Sequence, residues 1–426
     1  MDLDRASVPQ LREWETALNQ DYAAIKAAGL NLDMTRGRPS IDQLQLSNAL
    51  DGVLQGQFKD DAGTETRNYS GADLIDGIPT AKALFAPVLG VKPDEILIGG
   101  NSSLTLMYQA VQFGHLHGVA GSPAWNQGGE VKFLAPVPGY DRHFTVCEHF
   151  GIKLIPVAMN DDGPDMDQVE ALVKADPQIK GIWCVPRFSN PSGIVYSDAV
   201  VERFAQLGKI ASAGFRIFWD NAYAVHTLSD DAPQLANLFE LSRKYGTEDS
   251  VYVFGSTSKI TFASAGVAFL AASPANLKLI KHHLSFSMIS PDKVNQLRHV
   301  KFIGNLDNLH ALMSKHAALL QPRFAAVLTR LQALKTLGSW TEPKGGYFIS
   351  FDTRPGLAKT IVKLAAEAGV KLTPAGATYP YGNDPQDCNI RLAPSVPSVS
   401  EIEKATDVFV TCVKLASVRQ EIAKRV

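Results

Sequence analysis

From residue 93 to residue 272 the chain alternates short, β-branched apolar runs with longer segments of helical periodicity. That alternation is the signature of a parallel sheet with crossover helices. The strand runs are 95–98, 131–135, 153–157, 181–185, 216–219, 251–254 and 267–271. In open sheets of this kind ligands gather beyond the carboxyl ends of the strands, so the residues that follow each run are the first place to look for chemistry. The chain has 426 residues, too many for one core of ordinary size. After Pro291 the texture changes: long helical runs, about 306–337 and 400–414, flank strand candidates 347–351, 370–373 and 389–392. The expected architecture is α/β. A large domain, 46–300, holds a mostly parallel sheet with helices on both faces, and a smaller α+β domain is assembled from 1–45 and 301–426. The first 45 residues show no strand run and are expected to pack on the smaller domain. Trp14, Leu18, Tyr22 and Ile25 stand there at the spacing of an amphipathic helix, not of a secretion signal.

Charge narrows the partners. Lys plus Arg total 41 against 43 Asp plus Glu, so no basic field exists to attract nucleic acid or anionic lipid. No apolar stretch approaches the length of a membrane span. Cys147, Cys184, Cys388 and Cys412 are scattered without a close pair, which speaks against a zinc site, a redox pair or a disulfide scaffold. The expectation is a cytoplasmic protein with small-molecule partners and no metal.

Lys259 closes the run Ser256-Thr257-Ser258-Lys259 directly after the strand run 251–254, and Asp220 ends the run 216–219 with Tyr223 three residues beyond. A lysine at a strand end among small hydroxyl residues, with a carboxylate at another strand end, suits a covalently held aldehyde cofactor with a basic ring nitrogen. Pyridoxal phosphate is such a cofactor. Each residue alone has a plainer reading. Most lysines are solvated, and aspartates often cap helices. The turn Gly99-Gly100-Asn101-Ser102-Ser103 delivers two serines to a helix start, which suits a phosphate but equally an ordinary serine N-cap. Asn190-Pro191-Ser192-Gly193 is a turn on any reading, and Tyr140 is either a packing residue or a ring that lies against a flat heterocycle. Arg391 stands in the apolar run 389–392, where a buried guanidinium needs a carboxylate from the protein or from a substrate.

Taken in order, these residues resemble the class I/II aminotransferases of the fold-type I pyridoxal-phosphate superfamily. The likeness runs from about residue 35 to 394 through Arg36-Gly37-Arg38-Pro39, Tyr69, the serine loop, Tyr140, the Asn190 turn, Asp220 with Tyr223, the Lys259 run and Arg391. In tone the chain resembles an atypical aspartate-aminotransferase subgroup related to the MocR-type regulators, without their DNA-binding domain. The resemblance implies that Lys259 holds the cofactor aldehyde and later carries the proton at the substrate Cα, while Asp220 keeps the pyridine nitrogen protonated. Tyr223 and Asn190 would hydrogen-bond the ring oxygen, and Tyr140 would stack on the ring. Ser102, Ser103, Ser256 and Ser258 would hold the phosphate, with Tyr69 reaching in from the second subunit of a homodimer. Arg391 would grip the substrate α-carboxylate. The implied activity is ping-pong transfer of an amino group between an amino acid, aspartate or another acidic one, and a 2-oxo acid such as 2-oxoglutarate.

Two departures stand out. Many relatives carry a phosphate-binding arginine seven or eight residues after the lysine, where this chain has Gly266 and Val267. Aspartate-specific relatives also carry a distal-carboxylate arginine near the stretch 284–291, which has none here. Arg36 or Arg38 is then the candidate for that task, with a structural salt bridge as the even alternative. Because the shared scaffold also supports β-lyase and racemase chemistry, and a non-catalytic ligand sensor could descend from it, both stay open at this point.

Overall fold

The computed structural model describes residues 1–69 and 71–426. Among these, the largest sheet orders its strands Ile96–Ile98, Ala268–Ala272, Val251–Ser256, Arg216–Asp220, Ile179–Cys184, Lys132–Val137, Lys153–Asn160 and Gly163–Pro164 from edge to edge. The five strands from Val251–Ser256 to Lys153–Asn160 run parallel. The mostly parallel α/β sheet is therefore present. Two strands depart from the crossover pattern: the short edge strand Gly163–Pro164 runs antiparallel to Lys153–Asn160, and Ala268–Ala272 runs antiparallel to both of its neighbours. For Ala268–Ala272 the reason is the length of its connection. The segment 257–267 is too short for a helical crossover, so the chain turns back as a hairpin. Lys259 sits in that turn.

Side-chain alternation splits the core into two layers. Leu134, Ile182, Ile217, Trp219, Val251 and Val253 point to one face, where the helices Pro79–Leu89, Met166–Ala175, Asp198–Gln206 and Leu238–Tyr245 cover them. Phe133, Ala135, Trp183, Phe218, Tyr252 and Phe254 point to the other, under the helices Ser103–His117, Asp141–His149 and Pro274–Leu284. The period of two in each strand assigns neighbouring residues to opposite faces. Each fully buried aromatic ring contributes about 1.5–3 kcal/mol.

A third core gathers residues from both chain ends. Leu11, Leu18 and Tyr22 join Ile349, Phe351, Ile390, Phe409 and Val413. The helix Val8–Ala27 lies along the C-terminal helix Val399–Arg425, and the Tyr22 hydroxyl donates to the Leu364 carbonyl at 2.9 Å. The N-terminal stretch also contains a strand that its sequence does not announce: Leu32–Asp33 pairs in parallel with Val370–Lys371. Two residues are too few to show a period. A three-stranded antiparallel sheet of Gly338–Trp340, Ile349–Thr353 and Asn389–Leu392 completes this region. Its first strand has no apolar run and is held by its register with Phe351. Val185, Phe188 and Tyr223, from the loops beyond the large sheet, pack into this third core as well, so the cleft between the two regions opens at the strand ends.

Candidate active site

A cavity of about 460 Å³ lies in that cleft, with Lys259, Asp220, Tyr223, Asn190, Tyr140 and Arg391 in its wall. The residues come from separate strands and loops, brought together by strand order. Asp220 is the last residue of its strand, paired with Phe254, and the hairpin that follows Phe254 carries Lys259. Thr257 closes that hairpin twice: its N–H donates to the Val267 carbonyl at 2.8 Å, and its hydroxyl oxygen accepts from the Val267 N–H at 2.9 Å. Lys259 projects from the turn with its Nζ 5.1 Å from the centre of the Tyr223 ring.

Asp220 is 2% exposed. Its Oδ2 meets His143 Nε2 at 2.9 Å, while Oδ1 is buried with no hydrogen-bond partner among the described residues. An open acceptor on a buried carboxylate is costly unless a ligand fills it. A protonated ring nitrogen supplies the missing donor and the opposite charge. His143 is held in turn by stacking on Trp183, with centroids 4.4 Å apart at 10°, and Tyr140 meets it edge-on at 4.9 Å. His143 was missed in the sequence. It stands three residues after Tyr140 on the helix Asp141–His149, so that one turn of helix puts both rings on one side.

Burial pushes the Lys259 amine below the ordinary lysine range, with attraction to Asp220 opposing the shift. A lowered pKa leaves more of the neutral, nucleophilic amine at neutral pH. Burial raises Tyr223 well above the usual phenol range, so its hydroxyl stays a proton donor. Tyr140 is pushed up to about 12, by burial first and then by Asp220 and Asp141.

Ser103 lines the cavity, whereas Ser102, Ser256 and Ser258 do not, although Ser102 and Ser258 adjoin the lining residues Ser103 and Lys259 in the chain. The two loops are stitched together, because the Ser258 hydroxyl donates to the Asn101 carbonyl at 3.3 Å and the Asn101 amide donates to the Ser264 carbonyl at 2.9 Å. The Ser256 hydroxyl donates to Ser258 Oγ at 3.1 Å. Ser102 takes the N-cap position of the helix Ser103–His117 without a side-chain capping bond, so the ordinary N-cap reading does not describe it. A free hydroxyl at a helix start suits a phosphate. At position 266 an arginine has no room: a Cβ there would lie 2.9 Å from Thr257 Oγ1 and 3.3 Å from the Ser258 nitrogen. Val267 is buried in the sheet core.

Arg391, 6% exposed, is met by a protein carboxylate: Nη1 donates to Asp141 Oδ1 and to Asn190 Oδ1, each at 3.1 Å. Its Nε donates to Thr373 Oγ1 at 3.3 Å, and its guanidinium carbon sits 4.9 Å from the centre of the Phe348 ring. Arg36 and Arg38 also line the cavity, and so does Arg142, which sequence reasoning passed over. All three are exposed, and among the described residues none forms a salt bridge. Tyr69 is 75% exposed and does not line this chain's cavity. Among the described residues, no cluster of His, Cys, Asp and Glu could hold a metal, and no helix is long and apolar enough to cross a membrane.

Comparison with known proteins shows the family. The family model described as aspartate amino-transferase matches residues 7–425. A relative from Mycolicibacterium smegmatis, provisionally named an aminotransferase, is 46% identical over 405 residues, covering 93% of this chain and 94% of its own length. An aspartate aminotransferase of Corynebacterium glutamicum is 44% identical over 405 residues, covering 94% of this chain and 93% of its own. The crystal structure of an aspartate transaminase from Corynebacterium glutamicum superposes with a TM-score of 0.95 at 42% identity, covering 99% of each chain.

Proposed function

The chain belongs to the aspartate amino-transferase family and is an aminotransferase of fold type I, and from that premise we propose that it uses pyridoxal phosphate to move the amino group of an acidic amino acid, aspartate foremost, to a 2-oxo acid such as 2-oxoglutarate. The observation that carries the cofactor reading is the open, buried Oδ1 of Asp220 in a cavity that also holds a lysine of lowered pKa. When bound, the cofactor supplies an electron sink for the bond broken at the substrate Cα.

The rest is the work of this chain's residues. Asp220 accepts the ring N–H and keeps that nitrogen charged, while the His143 bond to Oδ2 fixes the plane of the carboxylate. Lys259 would hold the cofactor's aldehyde covalently, and its amine, once free, would serve as the base that takes the proton from the substrate Cα. Tyr223 and Asn190 donate to the ring oxygen. Tyr140 covers the ring. Ser102, Ser103, Ser256 and Ser258 hold the phosphate with the helix start at residue 103. Arg391 aligns the substrate by its α-carboxylate, and Arg36, Arg38 or Arg142 takes a second carboxylate. Tyr69, exposed with Phe286 and Ile289, fits a surface covered by a second copy whose cofactor phosphate it reaches.

A panel of amino donors with 2-oxoglutarate tests the reading. Glutamate should form in step with the donor's 2-oxo acid, fastest with aspartate. Release of ammonia in place of glutamate, or loss of chirality without transfer, would replace transamination with lyase or racemase chemistry.

A further inference from the structure

We infer that Asp141 is an internal carboxylate that occupies the substrate's place on Arg391 and must be displaced before an amino or 2-oxo acid can bind. The inference rests on the proposed role of Arg391 as the α-carboxylate clamp. A guanidinium has five N–H donors. In Arg391 the Nε proton goes to Thr373, and the two protons of Nη1 go to Asn190 and Asp141. Among the described residues nothing accepts from Nη2. A carboxylate that binds through two parallel bonds needs one proton of Nη2 and one from either Nη1 or Nε. One existing bond therefore has to break.

Burial decides which. Asn190 is 5% exposed and Thr373 6% exposed, and the Thr373 hydroxyl is also tied to the Thr35 carbonyl at 2.8 Å. The Asp141 side chain is 35% exposed and opens the helix Asp141–His149, where water can receive its carboxylate. Asp141 is the partner that gives way. The exchange also keeps a buried guanidinium paired at every stage, whereas leaving it unpaired would be costly.

Displacement opposes every carboxylate by the same amount, because each must compete with a group tethered at high effective concentration. A dicarboxylate gains a second anchor on Arg36, Arg38 or Arg142 at the same cavity. That anchor acts with or without Asp141, so the shared cost lowers both affinities by one factor and leaves their ratio unchanged.

The test is calorimetric binding of propionate and of succinate, which carry no amine or carbonyl to react, to the holoenzyme and its Asp141→Ser, Asp141→Asn and Arg391→Ala variants. Asp141→Ser should tighten propionate and succinate alike by about two- to fivefold, the span of a partly exposed ion pair. Asp141→Asn, which keeps the shape, should move binding the same way and decides the matter if the serine variant does not fold. A merely structural Asp141 would weaken both acids on removal. Unchanged or weaker propionate binding, with Arg391→Ala still abolishing it, overturns the inference and leaves the clamp standing. Unchanged binding in Arg391→Ala overturns the clamp and the inference with it.

Discussion

The floor and the mouth of the cavity are built on opposite rules. At the floor, Asp220, His143 and Trp183 are almost wholly buried and locked by a hydrogen bond and ring stacking, with one carboxylate oxygen left open. At the mouth, Arg36, Arg38 and Arg142 are exposed and, among the described residues, without salt bridges. A charge held out of water must be fixed by partners, and it then acts on one atom of one ligand. A charge left in water acts weakly and can serve different anions. The difference teaches where each property of an aminotransferase can reside: the reaction at the floor, substrate choice at the mouth.

Substitutions at the two levels should therefore differ in size and in kind. The largest effect belongs to Lys259→Ala, which removes both the covalent anchor and the base. Turnover should fall by roughly ten-thousand-fold, the upper range for a positioned acid–base group, and borohydride should no longer fix the cofactor at that position in a peptide map. A variant that retains turnover would break the division at its root. Next is Asp220→Asn, which keeps an acceptor for His143 but removes the charge beside the ring. The loss in kcat is expected at about ten- to a hundredfold, matching the roughly 1.5–3 kcal/mol of a hydrogen bond to a charged group, with little change in KM. The smallest effect is expected for Arg142→Ala: KM for aspartate should rise by about two- to fivefold with kcat preserved, as for an exposed ion pair. The change should shrink at high salt. A drop in kcat there would mean that the mouth takes part in the chemistry and would blur the comparison.

Part of the site was legible in the sequence because its residues close or follow strand runs. Asp220, Lys259 and Asn190 sit where carboxyl ends of parallel strands converge, and a period-two apolar pattern announces such strands. Arg391 was legible as a charge inside an apolar run. His143, Asp141 and Arg142 were not. They lie in the first turn of a polar helix, where a histidine, an aspartate and an arginine look like ordinary solvated residues until the neighbouring loops close over them. The direction of Ala268–Ala272 and the pairing of Leu32–Asp33 were hidden for another reason. Apolar alternation records burial, and it carries no information about which way a strand runs or about a pair two residues long.

The order of short apolar runs and helices determined the α/β architecture, and the residues closing those runs determined the kind of chemistry, since both are local properties of the chain. Which side chains meet was decided only by the tertiary structure. The carboxylate at 141 reaches the guanidinium 250 residues away, and the imidazole at 143 reaches the acid at 220, because sheet register and the packing of the third core bring those loops together. Contacts between distant segments depend on geometry that no local pattern encodes.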